Sequence, residues 1–269
     1  NKNSDASKMT QFINFINHKY NTSIDDYLKL HDWSINNISL FWDSISVFFK
    51  IKFSTLSDCV FKPGKKIYES KWFNGARLNY AENLLHTEDS DKIAIEFFNE
   101  LGDKKTITYG RLSKDVSVIS NLFQNNGLKK GDRVAAMMPN IPETIISSLA
   151  CASLGGVWSS CSPDFGEKAI LDRFEQINPK ILIVCNGYTF KGKKYSTASR
   201  IDVLVSKLKS VKCVILVDYI NDNSDLFSNY ILWKDIDFSY STESNRFEQM
   251  KFDDPLYVMF SSGTTGKPK

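Results

Sequence analysis

Arg133-Val134-Ala135-Ala136-Met137-Met138, Gly156-Val157-Trp158-Ser159-Ser160, Ile181-Leu182-Ile183-Val184-Cys185 and Cys213-Val214-Ile215-Leu216-Val217 are four short, mostly apolar runs, and each reads as a strand. The residues between them have helical character. One helix is opened by Pro142, a second runs from about Gly166 to Ile177, and a third lies near Ser199 to Leu208. Strands alternating with helices predict a layered α/β domain with a largely parallel sheet. In such a sheet, ligands favour the carboxyl ends of the strands.

Toward the amino terminus, a helix with Leu112, Val116, Ile119 and Phe123 on one face closes at Asn126-Gly127. Before it, Ile93 to Phe98 and Thr106 to Tyr109 flank Asn99 to Asp103 as a hairpin would. The first eighty residues read as a helical leader. Phe12, Ile13, Phe15 and Ile16 stripe a helix from about Lys8 to Tyr20; Ser23 to Asp26 cap a second with Tyr27, Leu28 and Leu30; a third spans about Asn36 to Phe49. Lys62-Pro63-Gly64-Lys65 marks a turn and linker. Asn79 caps a short helix that carries Leu84 and Leu85 inward. The expected division is a leader over residues 1–86 and a second, partial domain over 87–269.

At the other end, Val258, Met259 and Phe260 have the continuous apolar character of a strand buried on both faces. The loop Ser261-Ser262-Gly263-Thr264-Thr265-Gly266-Lys267-Pro268-Lys269 follows at once. It suits a polyphosphate such as ATP. Glycines admit the ligand to the backbone, amides and hydroxyls donate hydrogen bonds to its oxygens, and ammonium groups offset its charge. The commoner P-loop is excluded by spacing, because only Thr264 and Thr265 separate the glycines and Pro268 stands where a magnesium-binding hydroxyl belongs.

Two other loops invite a ligand. Cys161-Ser162-Pro163-Asp164-Phe165-Gly166 is a strand-to-helix turn whose amides would face an anion or a thioester chain, although a helix-capping turn with a buried thiol has the same sequence features. Cys161 has no base placed beside it by motif, which argues against a nucleophile. In Gly187 to Tyr195, Lys191, Lys193 and Lys194 lie among aromatics and would suit a phosphate, as they would a plain solvated loop.

Composition narrows the partners. Thirty-four Lys and Arg nearly balance 31 Asp and Glu, leaving a net charge of +3, so no strong field argues for nucleic acid or a membrane surface. No apolar run reaches the roughly 18 residues of a membrane span, and the polar start lacks the hydrophobic segment of a signal peptide. Cys59, Cys151, Cys161, Cys185 and Cys213 are widely spaced, without a zinc or redox pair, which predicts reduced buried thiols and a cytoplasmic location. His18, His31 and His86 have no metal spacing, and no protein-held metal is expected.

The nine-residue loop from Ser261 to Lys269 resembles the signature loop of the acyl-adenylate-forming superfamily. Trp72-Phe73-Asn74-Gly75-Ala76-Arg77-Leu78-Asn79-Tyr80-Ala81-Glu82-Asn83-Leu84-Leu85 resembles the junction after the leader in the acetyl-CoA synthetase branch, with scaffold packing the favoured role for Trp72 and Arg77. This string and Trp158 to Gly166 are similar, more narrowly, to acetoacetyl-CoA synthetases. The resemblance implies an AMP-binding domain truncated at its phosphate loop, ATP with Mg2+, CoA as co-substrate, and acetoacetate joined to CoA through an acyl-adenylate. It also implies that Ser261 to Lys269 hold the β- and γ-phosphates, and that the basic loop receives CoA phosphates with lysines where relatives use arginines, a weaker grip. The acyl pocket and the catalytic residues would lie beyond Lys269, so the chain is expected to be an inactive fragment. Another short-chain acyl substrate or a non-catalytic nucleotide-binding remnant remain as alternatives; oligomeric state is not legible.

Overall fold

The computed structural model describes residues 7–221, 229–239, 246–261 and 268–269. Its chain divides into two compact units, Asn1–Leu78 and Asn79–Lys269.

The first unit opens with helices α1 (Lys8–Tyr20), α2 (Tyr27–Asn36) and α3 (Ile38–Phe48). Ser7 and Asp26 start the first two by accepting the backbone N–H of Thr10 and Lys29. Phe12, Ile13, Ile16, Ile24 and Leu30 form the core, with Phe41, Ile45 and Phe48 packed against it. The Asn17 side chain fixes the connection from α1 to α2, donating to the Ile24 carbonyl at 2.7 Å and accepting the Ile24 N–H at 2.8 Å. One part of the leader is not helical. Strand β1 (Cys59–Lys62) pairs antiparallel with β2 (Lys71–Asn74), and the rings of Phe61 and Trp72 face each other with centroids 4.4 Å apart. The Lys62 to Lys65 turn therefore lies between two paired strands inside this unit and is not a linker.

In the second unit, Asn79 caps α4 (Tyr80–Leu85) by accepting the Glu82 N–H. Leu85 is buried but Leu84 is 47 % exposed, because neighbouring helical residues are turned about 100° apart and cannot both face inward. Strands β3 (Ile93–Phe98) and β4 (Lys104–Thr108) form the expected hairpin, followed by α5 (Tyr109–Asn125). Then β5 (Arg133–Met137), α6 (Pro142–Ser153), β6 (Val157–Cys161), α7 (Glu167–Ile177) and β7 (Ile181–Cys185) alternate. Strands β8 (Gly187–Phe190) and β9 (Lys193–Ser196), helix α8 (Ala198–Lys207), β10 (Cys213–Val217) and β11 (Ile231–Leu232) follow.

Five strands join in the order β11-β10-β7-β5-β6, all parallel. The α/β expectation holds. Each central strand is apolar on both faces, and alternation divides its residues between two cores. Val134, Ala136, Ile181, Ile183 and Ile215 meet Val116, Ile119 and Phe123 of α5 and Leu149 of α6. Ala135, Met137, Leu182, Val184 and Leu216 meet Ile170 and Phe174 of α7 and Ile201 and Leu204 of α8. Among the described residues no helix is long and apolar enough to cross a membrane.

The segment before the glycine-rich loop is not a strand buried on both faces. Tyr257 makes one parallel bridge to Trp158, and Met259 is 80 % exposed. Among the described residues only β6 flanks this segment, so the run pairs on one edge, with Val258 and Phe260 half-buried and Met259 in solvent.

Candidate functional site

Within the sheet, β5 is flanked by β6 on one side and β7 on the other; α6, which follows β5, and α7, which follows β6, pack on opposite faces. Because β6 and β7 lie on opposite sides of β5 in the order β6-β5-β7-β10-β11, a switch point falls at the carboxyl ends of β5 and β7, where open α/β sheets form a ligand crevice. Asn186, immediately after β7, is 2 % exposed and organises this edge. Its amide nitrogen donates to Asp218 Oδ1 at 2.5 Å, and its oxygen accepts the N–H groups of Tyr219 and Ile220. Thr197 donates its hydroxyl to the Cys185 carbonyl and its N–H to the Asn186 carbonyl, which anchors the start of α8 to the end of β7.

The turn Cys161 to Gly166 connects β6 to α7 at this same edge. Cys161 is 8 % exposed, and burial pushes its thiol up to about 12. It is therefore protonated and inert near neutral pH. Arg200, in the first turn of α8, donates through Nη1 to the carbonyls of Pro163 (2.7 Å) and Phe165 (2.8 Å). The Arg173 guanidinium lies 4.9 Å from the centre of the Phe165 ring.

The lysine-rich loop is a β-hairpin. Phe190 pairs with Lys193 and Tyr188 with Tyr195, while Lys191 and Gly192 form the tip with positive φ of 53° and 72°. Lys193 and Lys194 are consecutive strand residues, so their side chains leave on opposite faces. Lys194 donates to the Ile220 carbonyl at 2.7 Å, Lys191 Nζ lies 5.2 Å from the Phe190 ring centre, and Lys193 is exposed. The structure thus does not gather all three ammonium groups on one point.

Of the glycine-rich loop, Ser261, Pro268 and Lys269 are described, whereas Ser262, Gly263, Thr264, Thr265, Gly266 and Lys267 lie outside the described residues. Ser261 and Lys269 are exposed and bonded to each other through their backbones, at 2.9 and 3.4 Å. Before the loop, Ser159 Oγ donates to the Val258 carbonyl at 2.9 Å, and the hydroxyls of Ser160 and Tyr257 lie 2.6 Å apart. Within it, the Pro268 carbonyl accepts from Gln176 in the last turn of α7 at 3.0 Å.

Among the described residues no three His, Cys, Asp or Glu converge as metal ligands. An open cavity of about 560 Å³ between β3, α5 and α6, with Phe97, Asn140 and Ile145 in its wall, contains none of the sequence-predicted site residues. Arg200, Asn186 and Asp218 were not singled out by sequence. Asn186-Gly187 after an apolar run is a legible strand-end signal, whereas nothing local in the sequence points Arg200 at Pro163 and Phe165.

A family model described as AMP-binding enzyme matches residues 85–269, and one described as acetyl-coenzyme A synthetase N-terminus matches residues 27–84. The chain is 37% identical to the acetoacetyl-coenzyme A synthetase of Rhizobium meliloti (strain 1021) and 35% identical to the acetoacetyl-CoA synthetase of Xenopus tropicalis, in each case over 98% of this chain and 41% of the relative. The solved acetoacetyl-CoA synthetase from Streptomyces lividans superposes with a TM-score of 0.92 at 31% identity, covering 98% of this chain and 41% of that one. The chain thus spans about two-fifths of the length of the relatives it matches.

Proposed function

This chain belongs to the AMP-binding enzyme family, and from that premise we propose that a full-length protein carrying it ligates acetoacetate to CoA. In the first step an acetoacetate carboxylate oxygen bonds to the α-phosphorus of ATP and pyrophosphate leaves. In the second, the CoA thiol sulfur bonds to the acyl carbon, AMP leaves with the electron pair of the broken acyl–oxygen bond, and the thiol proton is released. Carboxylate and phosphate repel each other, so the protein's work is alignment and charge neutralisation. The observation that carries the reading is the string Trp158 to Gly166, which forms the last strand residues and turn of β6 at the carboxyl edge of the sheet, together with the kinship of the whole chain to synthetases of that name.

In this reading, Ser261 to Lys269 hold the β- and γ-phosphates during adenylation. The turn Cys161 to Gly166 and the β8–β9 hairpin take CoA, with Lys191 and Lys193 better placed than Lys194 to meet its phosphates. Mg2+ carried with ATP would supply charge neutralisation at the phosphates that Ser261 to Lys269 hold in this reading. The test is pyrophosphate release by the full-length protein with acetoacetate, acetate, propionate and longer acids. Acetoacetate is expected to give the largest kcat/KM; a larger value for acetate would move the protein to a neighbouring acyl substrate.

A further inference from the structure

We propose that Arg200 is a positioning residue for the CoA-dependent step, holding the β6–α7 turn in register with the β8–β9 hairpin; the inference rests on the function proposed above. The carboxyl edge has two ligand loops on different strands, one after β6 and one after β7, with β5 between them. Backbone pairing does not tie the loops together. Arg200 does so from the first turn of α8, its Nη1 hydrogens reaching the Pro163 carbonyl at 2.7 Å and the Phe165 carbonyl at 2.8 Å.

The other end of that link is anchored. The start of α8 is bonded through Thr197 to Cys185 and Asn186, and Asn186 in turn holds Tyr219 and Ile220. Ile220 receives the Lys194 ammonium of the hairpin. A continuous chain of hydrogen bonds therefore runs from the hairpin, through the ends of β10 and β7, to the turn after β6. Arg200 is its single charged joint to that turn among the described residues.

The geometry also orients the turn. With the carbonyls of Pro163 and Phe165 drawn toward Arg200, the N–H groups across the same trans peptide planes, those of Asp164 and Gly166, point the opposite way. Arg173 stacked on the Phe165 ring holds the intervening side chain. Without Arg200 these peptide planes are free to rotate, and donors that would meet a CoA chain lose their common direction.

The experiment uses Arg200→Ala and Arg200→Lys in the full-length protein, with both half-reactions measured separately. Loss of two hydrogen bonds from a charged donor predicts a rise in the CoA KM of about 10-fold or more in Arg200→Ala, with adenylation changed less than about 2-fold. Arg200→Lys, which keeps the charge but loses the planar fork, should fall between the two. An unchanged CoA KM in both variants, or equal losses in the two half-reactions, overturns the proposal. Hydrogen exchange separates this from a failure of the proposed function. Even if the wild-type protein shows no CoA-dependent turnover, the Phe165 amide, bonded to Ser162, should exchange faster in Arg200→Ala, and unchanged exchange there overturns the positioning role by itself.

Discussion

Lys194 Nζ donates to the carbonyl of Ile220 at 2.7 Å, so one of the three hairpin lysines is occupied in joining β9 to the segment after β10. Among the described residues Lys191 and Lys193 make no such tertiary bond to a carbonyl, and the lysine cluster divides into a structural member and two candidate ligand contacts.

Replacing Lys191 and Lys193 together by Ala in the full-length protein should therefore raise the KM for CoA about 10-fold and spare adenylation. Lys194→Ala alone should change CoA dependence less and lower thermal stability, since the Ile220 carbonyl loses its partner. Steady-state kinetics in CoA and a melting curve distinguish the two. A CoA effect confined to Lys194→Ala would reverse the assignment.

On the function proposed above, the loop Ser261 to Lys269 would grip phosphates in the first step and would have to release pyrophosphate before the second. Lys267→Ala or Lys269→Ala is thus expected to slow adenylation by about 10- to 100-fold while thioester formation from preformed acyl-adenylate changes little. Single-turnover measurements of the two half-reactions test this; equal losses would remove the phosphate-clamp role.

Asn79 is fully buried and its side-chain nitrogen donates to the carbonyls of Ala152 (2.9 Å), Ser153 (3.2 Å) and Glu248 (2.8 Å), while its oxygen caps α4. Loss of the cap and of these donors in Asn79→Ala should cost about 2–4 kcal/mol, read by urea unfolding. Asn79→Asp should be worse near neutral pH, because a carboxylate would face three carbonyls. Its folded pKa would be raised, so the stability of that variant should be recovered as pH falls and lost as pH rises through the folded pKa. A destabilisation under about 0.5 kcal/mol in Asn79→Ala would show that water replaces the amide.

Burial pushes the thiols of Cys161 and Cys185 up to about 12 and that of Cys213 up to about 11, and it raises Cys151 as well. A thiol with a folded pKa above its unfolded value of about 8.5 stabilises the fold fully below that pH. This contribution is lost as pH rises toward the folded pKa. The urea midpoint should fall between pH 8 and pH 10. In the native chain at pH 8, Cys59, the exposed thiol, should react quickly with an aromatic disulfide and the other four only on unfolding. Rapid reaction of all five would contradict the burial.

Much of the second unit was legible because its signals are local. Ile181 to Cys185 and Cys213 to Val217 are fully buried strands whose apolar character needs no context. Pro142 and Asn79, and Asp26 in the first unit, mark helix starts by chemistry within three residues of themselves. The pair β1–β2 has no local signal, because each strand has four residues and the contact of Phe61 with Trp72 that stabilises it spans the intervening turn. The β8–β9 hairpin has the sequence of a charged loop, because its lysines hide the Tyr188–Tyr195 pairing.

The sequence by itself determined most of the strands and helices from β3 to β10, the β8–β9 hairpin excepted, and it determined kinship through contiguous strings such as Ser261 to Lys269. Those properties depend on neighbours along the chain. Tertiary structure alone decided that β7 lies beside β5, that Met259 is left in solvent, that Lys194 serves Ile220, and that Arg200 reaches Pro163 and Phe165. Each of these depends on groups brought together by the crossing of helices over a twisted sheet, at separations along the chain where no local propensity carries the information.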